Sequence, residues 1–230
     1  MKLQNLLQNF VSLFYPKLCV ICGTPLVADE NYFCLECFLK LPKTNYHLNP
    51  DNQVADRFAG KIPLVKGASY LYYNKGGTGQ KLIAEIKYKD NRNLGEWMGA
   101  FWAKEWLSSD FFSDIDYLVP VPLHPSKKRK RGFNQAEAIA LGIARVTGIP
   151  VDTENVFRKK ANTTQTKKGL FERWENTKDI FEVKSLDFFK NKHILIIDDV
   201  LTTGSTLESV AQSILKTKGV KISLLSLAIA

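Results

Sequence analysis

Two adjacent carboxylates, Asp198 and Asp199, follow the apolar run Ile194-Leu195-Ile196-Ile197 and precede Val200-Leu201 and a hydroxyl-rich stretch, Thr202-Thr203-Gly204-Ser205-Thr206. That stretch leads into a helix whose apolar face is Leu207, Val210, Ala211, Ile214 and Leu215. Backbone N–H groups at such a helix start, with the positive end of its dipole, make a socket for a phosphate dianion. The four hydroxyls add donors, and Gly204 lets the backbone come close. Carboxylates cannot hold phosphate themselves. Asp198 and Asp199 are therefore expected to accept hydrogen bonds from sugar hydroxyls, directly or through a hydrated Mg²⁺. The chemistry expected is recognition of a sugar phosphate. A plainer reading makes Ser205-x-x-Glu208 a capping box with the acidic pair at a strand end. It accounts for two residues and leaves the carboxylates and remaining hydroxyls unexplained. A Walker loop is excluded by the missing Gly-Lys-Ser/Thr, and no Gly-x-Gly-x-x-Gly follows the strand.

All four cysteines form a second chemical cluster, Cys19-Val20-Ile21-Cys22 and Cys34-Leu35-Glu36-Cys37. Two Cys-x-x-Cys turns can place four thiolates at the corners of a tetrahedron around Zn²⁺, with sulfur at about 2.3 Å. A site closed by four thiolates has no place for water, so the metal is expected to hold structure and perform no chemistry. Two disulfides or a redox dithiol are the alternatives, disfavoured by a reducing cytosol and by the matched pairs. His47, ten residues past Cys37, could replace one ligand.

A third group is cationic: Lys127, Lys128, Arg129, Lys130 and Arg131 in succession, next to Phe133. Read as a loop between a strand end and a helix start, it could face a pyrophosphate or track a DNA backbone. Phe133, Phe171 and Trp174 would be the stacking aromatics. An ordinary solvated charged loop is the equal alternative. A second cationic stretch runs from Arg158-Lys159-Lys160 to Lys167-Lys168. Gly76-Gly77-Thr78-Gly79 reads as a turn, and His124 and His193 lack a nucleophile or partner.

The elements that must position these groups follow from patterning. Strands are expected at 68–73, 117–122, 193–197 and 220–228, with helices at 80–88, 94–107, 134–146 and 207–216. Apolar strands alternating with amphipathic helices define an α/β class with a mostly parallel sheet covered on both faces. Ligands of such sheets sit beyond the carboxyl ends of the strands, where Asp198 and Val121 fall. The polar segment 43–60 separates the cysteine module, residues 1–60, from the larger unit, residues 61–230. Leu3, Leu6, Leu7, Phe10, Val11 and Phe14 give the first fourteen residues an amphipathic helix pattern. Its polar face carries almost no Lys or Arg, which favours packing on the next module over docking on a membrane surface.

The whole chain has 230 residues, 45% of them hydrophobic, enough to bury a core. Thirty-two Lys and Arg against 23 Asp and Glu leave a net charge of +9, which favours an anionic partner. No secretory signal and no run of about 20 apolar residues appears, so a cytoplasmic protein without a membrane span is expected.

Residues 194–206, ILIIDDVLTTGST, resemble the phosphoribosyltransferase signature, whose members bind phosphoribosyl pyrophosphate through such a loop. Resemblance continues through the cysteine knuckles, Lys87-Tyr88, Val119-Pro120-Val121-Pro122-Leu123 and Arg131-Gly132-Phe133-Asn134-Gln135. It also takes in Thr163-Thr164-Gln165, and Arg173 with Asn176 and Phe181. Together these motifs resemble the ComF competence family, double zinc ribbon proteins with a type I phosphoribosyltransferase-like domain. The resemblance implies ribose or Mg²⁺ contacts at Asp198 and Asp199, and a 5-phosphate loop over Thr202 to Thr206. It implies a pyrophosphate-facing region at the Val-Pro-Val-Pro loop and Arg131. It further implies a role in natural transformation, with single-stranded DNA handled at the inner face of the cytoplasmic membrane beside a helicase-like import partner. A true phosphoribosyltransferase, joining a base or amine to ribose 5-phosphate, is the alternative function.

Overall fold

The computed structural model describes residues 15–88, 91–159 and 180–230. The expected N-terminal helix, Lys160 to Lys168, Phe171, Arg173, Trp174 and Asn176 lie outside the described residues.

Four strands form one parallel sheet. They are β1 (Leu64–Tyr72), β2 (Tyr117–Pro120), β5 (His193–Leu201) and β6 (Lys221–Ile229), in the order β1-β6-β5-β2. Strands β3 (Val156–Arg158) and β4 (Phe181–Val183) pair separately as an antiparallel ribbon. The central strands are apolar on both sides because each side feeds a different core. Leu195 and Ile197 pack with Trp102, Ile139 and Leu118, whereas Ile194 and Ile196 pack with Val210, Ile214 and Val119. Alternation of side chains along the strand sends successive residues to opposite cores.

The first core is covered by α4 (Arg92–Trp106) and α6 (Gln135–Thr147), which approach closely through glycines. A Cβ on Gly99 would lie 2.1 Å from the Ile139 carbonyl oxygen, and one on Gly142 only 2.0 Å from that of Glu96. The second core is covered by α7 (Ser205–Ile214) and by α2 (Gln53–Phe58). Asn52 caps α2, accepting from Val54 and Ala55 N–H while its Nδ2 donates to the Gly67 carbonyl of β1 at 2.9 Å.

The cysteine module carries a short helix, α1 (Leu35–Leu39), and is bound to the larger unit by aromatic contacts. Tyr32 and Phe33 meet Trp97 with ring centroids 5.4 and 5.6 Å apart, and Phe38 meets Phe101 edge-on at 5.2 Å. Phe33 and Leu41 are buried in the first core. Among the described residues no helix is long and apolar enough to cross a membrane.

Candidate functional site

The acidic pair lies on a strand, where the sequence suggested a loop. Strand β5 continues past Ile197 because β6 continues beside it, with Asp198 opposite Ser226, Val200 opposite Ala228 and Leu201 opposite Ile229. Backbone pairing is indifferent to the polar side chains, so both carboxylates sit on a rigid ladder. Beyond Leu201 the chain turns through Thr202, Thr203 and Gly204, and α7 begins at Ser205.

Gly204 holds φ at +84°, and a Cβ there would come within 2.9 Å of the Phe58 ring. Both facts demand glycine. Thr203 Oγ1 lies 3.1 Å from Ser205 Oγ and accepts from the Ser205 N–H at 3.4 Å. The capping box does not form: Ser205 is the first helical residue, no side chain caps α7, and the Glu208 carboxylate accepts from Gln212. With the Ser205 N–H on Thr203 Oγ1 and the Glu208 N–H on the Gly204 carbonyl, the first-turn N–H groups of Thr206 and Leu207 are left beside a small recess of about 20 Å³ lined by Asp198 and residues 200–207. Arg57 of α2 braces this turn from outside, donating from Nη1 to the Thr202 carbonyl and from Nη2 to the Ala230 carbonyl at 2.9 Å.

Asp198, Asp199, Thr202 and Thr206 line the base of a larger cleft of about 510 Å³. One wall is α3 (Thr78–Tyr88), which presents Gln80, Ile83, Ala84 and Lys87 at helical spacing, with Tyr73 before it. Lys87 Nζ pairs with Asp199 Oδ2 at 2.9 Å, both side chains being largely buried. The Asp199 N–H donates to Asp198 Oδ1 at 2.8 Å. Burial pushes the Asp198 carboxyl up to about 7, with the Asp199 charge adding to the rise, while that N–H and the cations of Lys87 and Lys127 pull the other way. Lys87 thus pairs with Asp199 alone and leaves the Asp198 carboxyl without an ion-pair partner of its own among the described residues.

The facing wall is cationic. Lys127 to Arg131 do not form a loop: they are most of a short helix, α5 (Pro125–Arg131). Pro125 takes the first helical position, His124 Nδ1 accepts from the Ser126 N–H at 3.2 Å, and Gly132 at φ +73° ends the helix. Lys127 and Arg131 line the cleft, along with Arg158 of β3. Arg131 Nη1 donates to Gln135 Oε1 at 2.9 Å.

Phe133 is buried in the first core and so is no platform for a base. Asn134 caps α6 through the Ala136 N–H and donates from Nδ2 to the Val121 carbonyl at 3.0 Å, tying the Val-Pro-Val-Pro segment to the helix. Gly76-Gly77-Thr78-Gly79 is a turn into α3 in which the Gly76 N–H donates to Gln80 Oε1 at 2.6 Å. His124 serves as a cap, and His193 is buried with Nε2 2.8 Å from Ser223 Oγ.

The four cysteine sulfurs converge, all within 4.8 Å of one another, with Cys22 and Cys34 3.7 Å apart. Four thiolates at about 2.3 Å from a tetrahedral Zn²⁺ stand roughly 3.8 Å from each other. A disulfide would need about 2.05 Å. The residues fit zinc. His47 is not among them, since its ring stacks on Trp106 at 4.2 Å.

The sequence reading gave no role to Lys87, Arg57, Tyr73 or Gln80. Lys87 had a signal, because it shares the helical face of Ile83 and Ala84 and is the cation on it. Arg57 had none, as its partner loop lies 145 residues away.

A parallel sheet ending in an acidic pair and a hydroxyl turn, with a cationic wall opposite, defines a phosphoribosyltransferase-type domain of the type I fold. The phosphoribosyl transferase domain family matches residues 129–229. The DNA utilization protein YhgH of Escherichia coli is 27% identical over 219 residues, covering 89% of this chain and 93% of that protein. Competence protein ComFC of Bacillus subtilis is 29% identical over 205 residues, covering 87% and 78%. Competence protein F of Haemophilus influenzae is 33% identical over 102 residues, covering 43% and 44%. Among solved structures, the glutamine phosphoribosylpyrophosphate amidotransferase of B. subtilis aligns at a TM-score of 0.42 and 14% identity, over 62% of this chain and 30% of that one. Together with the four-cysteine cluster, these likenesses support a member of the ComF competence family.

Proposed function

We propose that the cleft binds phosphoribosyl pyrophosphate, or a closely related ribose 5-phosphate, with Mg²⁺, and that the protein uses this site while handling single-stranded DNA in natural transformation. The observation that carries the ligand reading is the opposition of an uncapped helix start and acidic strand end to the cations Lys127 and Arg131 across one cleft. In this reading the 5-phosphate takes the first-turn N–H groups of α7 and the hydroxyls of Thr202, Thr203, Ser205 and Thr206, with Gly204 allowing close approach. Asp198 and Asp199 hold the ribose hydroxyls or hydrated Mg²⁺. Lys127 and Arg131 face the pyrophosphate.

The DNA role rests on family membership, on the names of the competence and DNA-utilization relatives, and on the surplus of nine positive charges. The helicase-like import partner is part of the same reading, as is zinc held by Cys19, Cys22, Cys34 and Cys37.

A second reading, transfer of ribose 5-phosphate to a base or amine, is favoured by one observation. Tyr73, Ile83 and Ala84 give the cleft an apolar wall against which a flat ring could lie. Pyrophosphate release from phosphoribosyl pyrophosphate and Mg²⁺ that depends on an added base or amine would establish transfer. Binding without release across a panel of acceptors would leave recognition alone. Tight magnesium-dependent binding that disappears in Asp198→Asn/Asp199→Asn is the test of the ligand itself.

A further inference from the structure

We propose that α5 is a two-sided anion reader whose cleft side serves the ribose-phosphate ligand and whose outer side carries single-stranded DNA, so that both bind at once. The inference rests on the DNA and ligand readings above and assigns their surfaces.

Lys127 and Arg131 are four residues apart, about 40° around a helix, and both line the cleft. Lys128, Arg129 and Lys130 fall on the rest of the circumference, with Arg129 turned about 180° from the cleft side. All three are exposed, none lines the cleft, and among the described residues none pairs with a carboxylate. Like charges three and four apart, Lys127 with Lys130 and Arg131 and Lys128 with Arg131, repel one another on this seven-residue helix, against which the helix dipole favours cations in its last turn. Two of them are accounted for by the cleft.

The chemistry of the outer side fits a polyanion. It holds no large apolar side chain, and its neighbour Phe133 is buried, so neither a hydrophobic partner nor base stacking has a foothold. What remains is phosphate contact, which is indifferent to sequence and weakens steeply with salt. A backbone lying along this side leaves the cleft side, with Lys127 and Arg131, to the anion inside. Occupancy of the cleft then has no reason to displace DNA.

The test uses the full zinc-loaded chain, an unstructured oligothymidylate followed across a salt series, and phosphoribosyl pyrophosphate with Mg²⁺ followed by calorimetry. Replacing Lys128, Arg129 and Lys130 by Gln should shrink the salt slope of DNA binding by about 2, at roughly 0.7 per lost phosphate contact, with ligand affinity unchanged. Lys127→Gln/Arg131→Gln should weaken the ligand about tenfold or more and leave most of the DNA slope. Saturating ligand should leave DNA affinity unchanged. The proposal is overturned if the cleft-side variant loses as much DNA binding as the outer one, if ligand competes DNA away, or if wild type binds no DNA. Failure of wild type to bind phosphoribosyl pyrophosphate instead defeats the ligand reading, and the DNA comparison between the variants still stands. Melting curves of both variants confirm that the fold is intact.

Discussion

Residues of this protein act under constraints that can be separated. Gly204 is fixed twice, by its positive φ and by the Phe58 ring that fills the space of a Cβ. Gly204→Ala should therefore destabilise the chain by about 1 to 3 kcal/mol and weaken ligand binding, as read by denaturation and calorimetry. His193 shows the opposite case, a titratable group with a structural task. Burial, with the charges of Lys66 and Lys221, holds its pKa below the usual 6.5. The folded chain keeps it neutral while the unfolded chain takes up a proton, so its stabilising contribution is complete above pH 6.5 and is lost as pH falls below it. The loss approaches about 1.4 kcal/mol per pH unit for one proton. His193→Gln, which can keep a hydrogen bond to Ser223, should remove that part of the pH dependence below pH 6.5. Identical pH profiles for variant and wild type would contradict the assignment.

Elements differ in how plainly the sequence announced them. The apolar runs of β5 and β6 and the helical face of α6 were legible because a core on each side leaves a strong pattern. The extension of β5 to Leu201 was not, since the pairing that carries it comes from β6, a non-local neighbour. Basic helix α5 was hidden because five like charges argue against a helix locally, and only its caps, His124 with Pro125 and Gly132, favour one. The site divides along the same line: Asp198, Asp199 and the hydroxyl turn are contiguous and readable, whereas Lys87 and Arg57 arrive from distant elements. Two predictions belong here. Gly142→Ala should drive α4 and α6 apart, costing about 1 to 3 kcal/mol or more by overpacking. Arg57→Ala should lower ligand affinity through the slackened Thr202 carbonyl, with Arg57→Lys restoring part of it; an unchanged affinity would show that the turn needs no brace.

The molecule as a whole joins a four-cysteine module to a domain whose cleft is lined by carboxylates and cations. Residues 1–60 and 61–230 are proposed as the two units, yet Tyr32, Phe33 and Phe38 meet Trp97 and Phe101 across them. Removing zinc should therefore loosen more than the knuckle. Chelation, or Cys19→Ser with Cys34→Ser, should lower the melting temperature and raise the exposure of Trp97 to a fluorescence quencher. Elemental analysis should give one zinc per chain, and its absence would remove the metal from the account.

The central claim concerns the cleft, and ligand-induced stabilisation tests it most directly. Phosphoribosyl pyrophosphate with Mg²⁺ at about 100 times its Kd should add about 2.7 kcal/mol to stability, a rise of roughly 5 to 10 °C in Tm for a chain of this size. Asp198→Asn/Asp199→Asn should abolish the rise. No shift in the wild-type protein, or an equal shift in that variant, would contradict the claim.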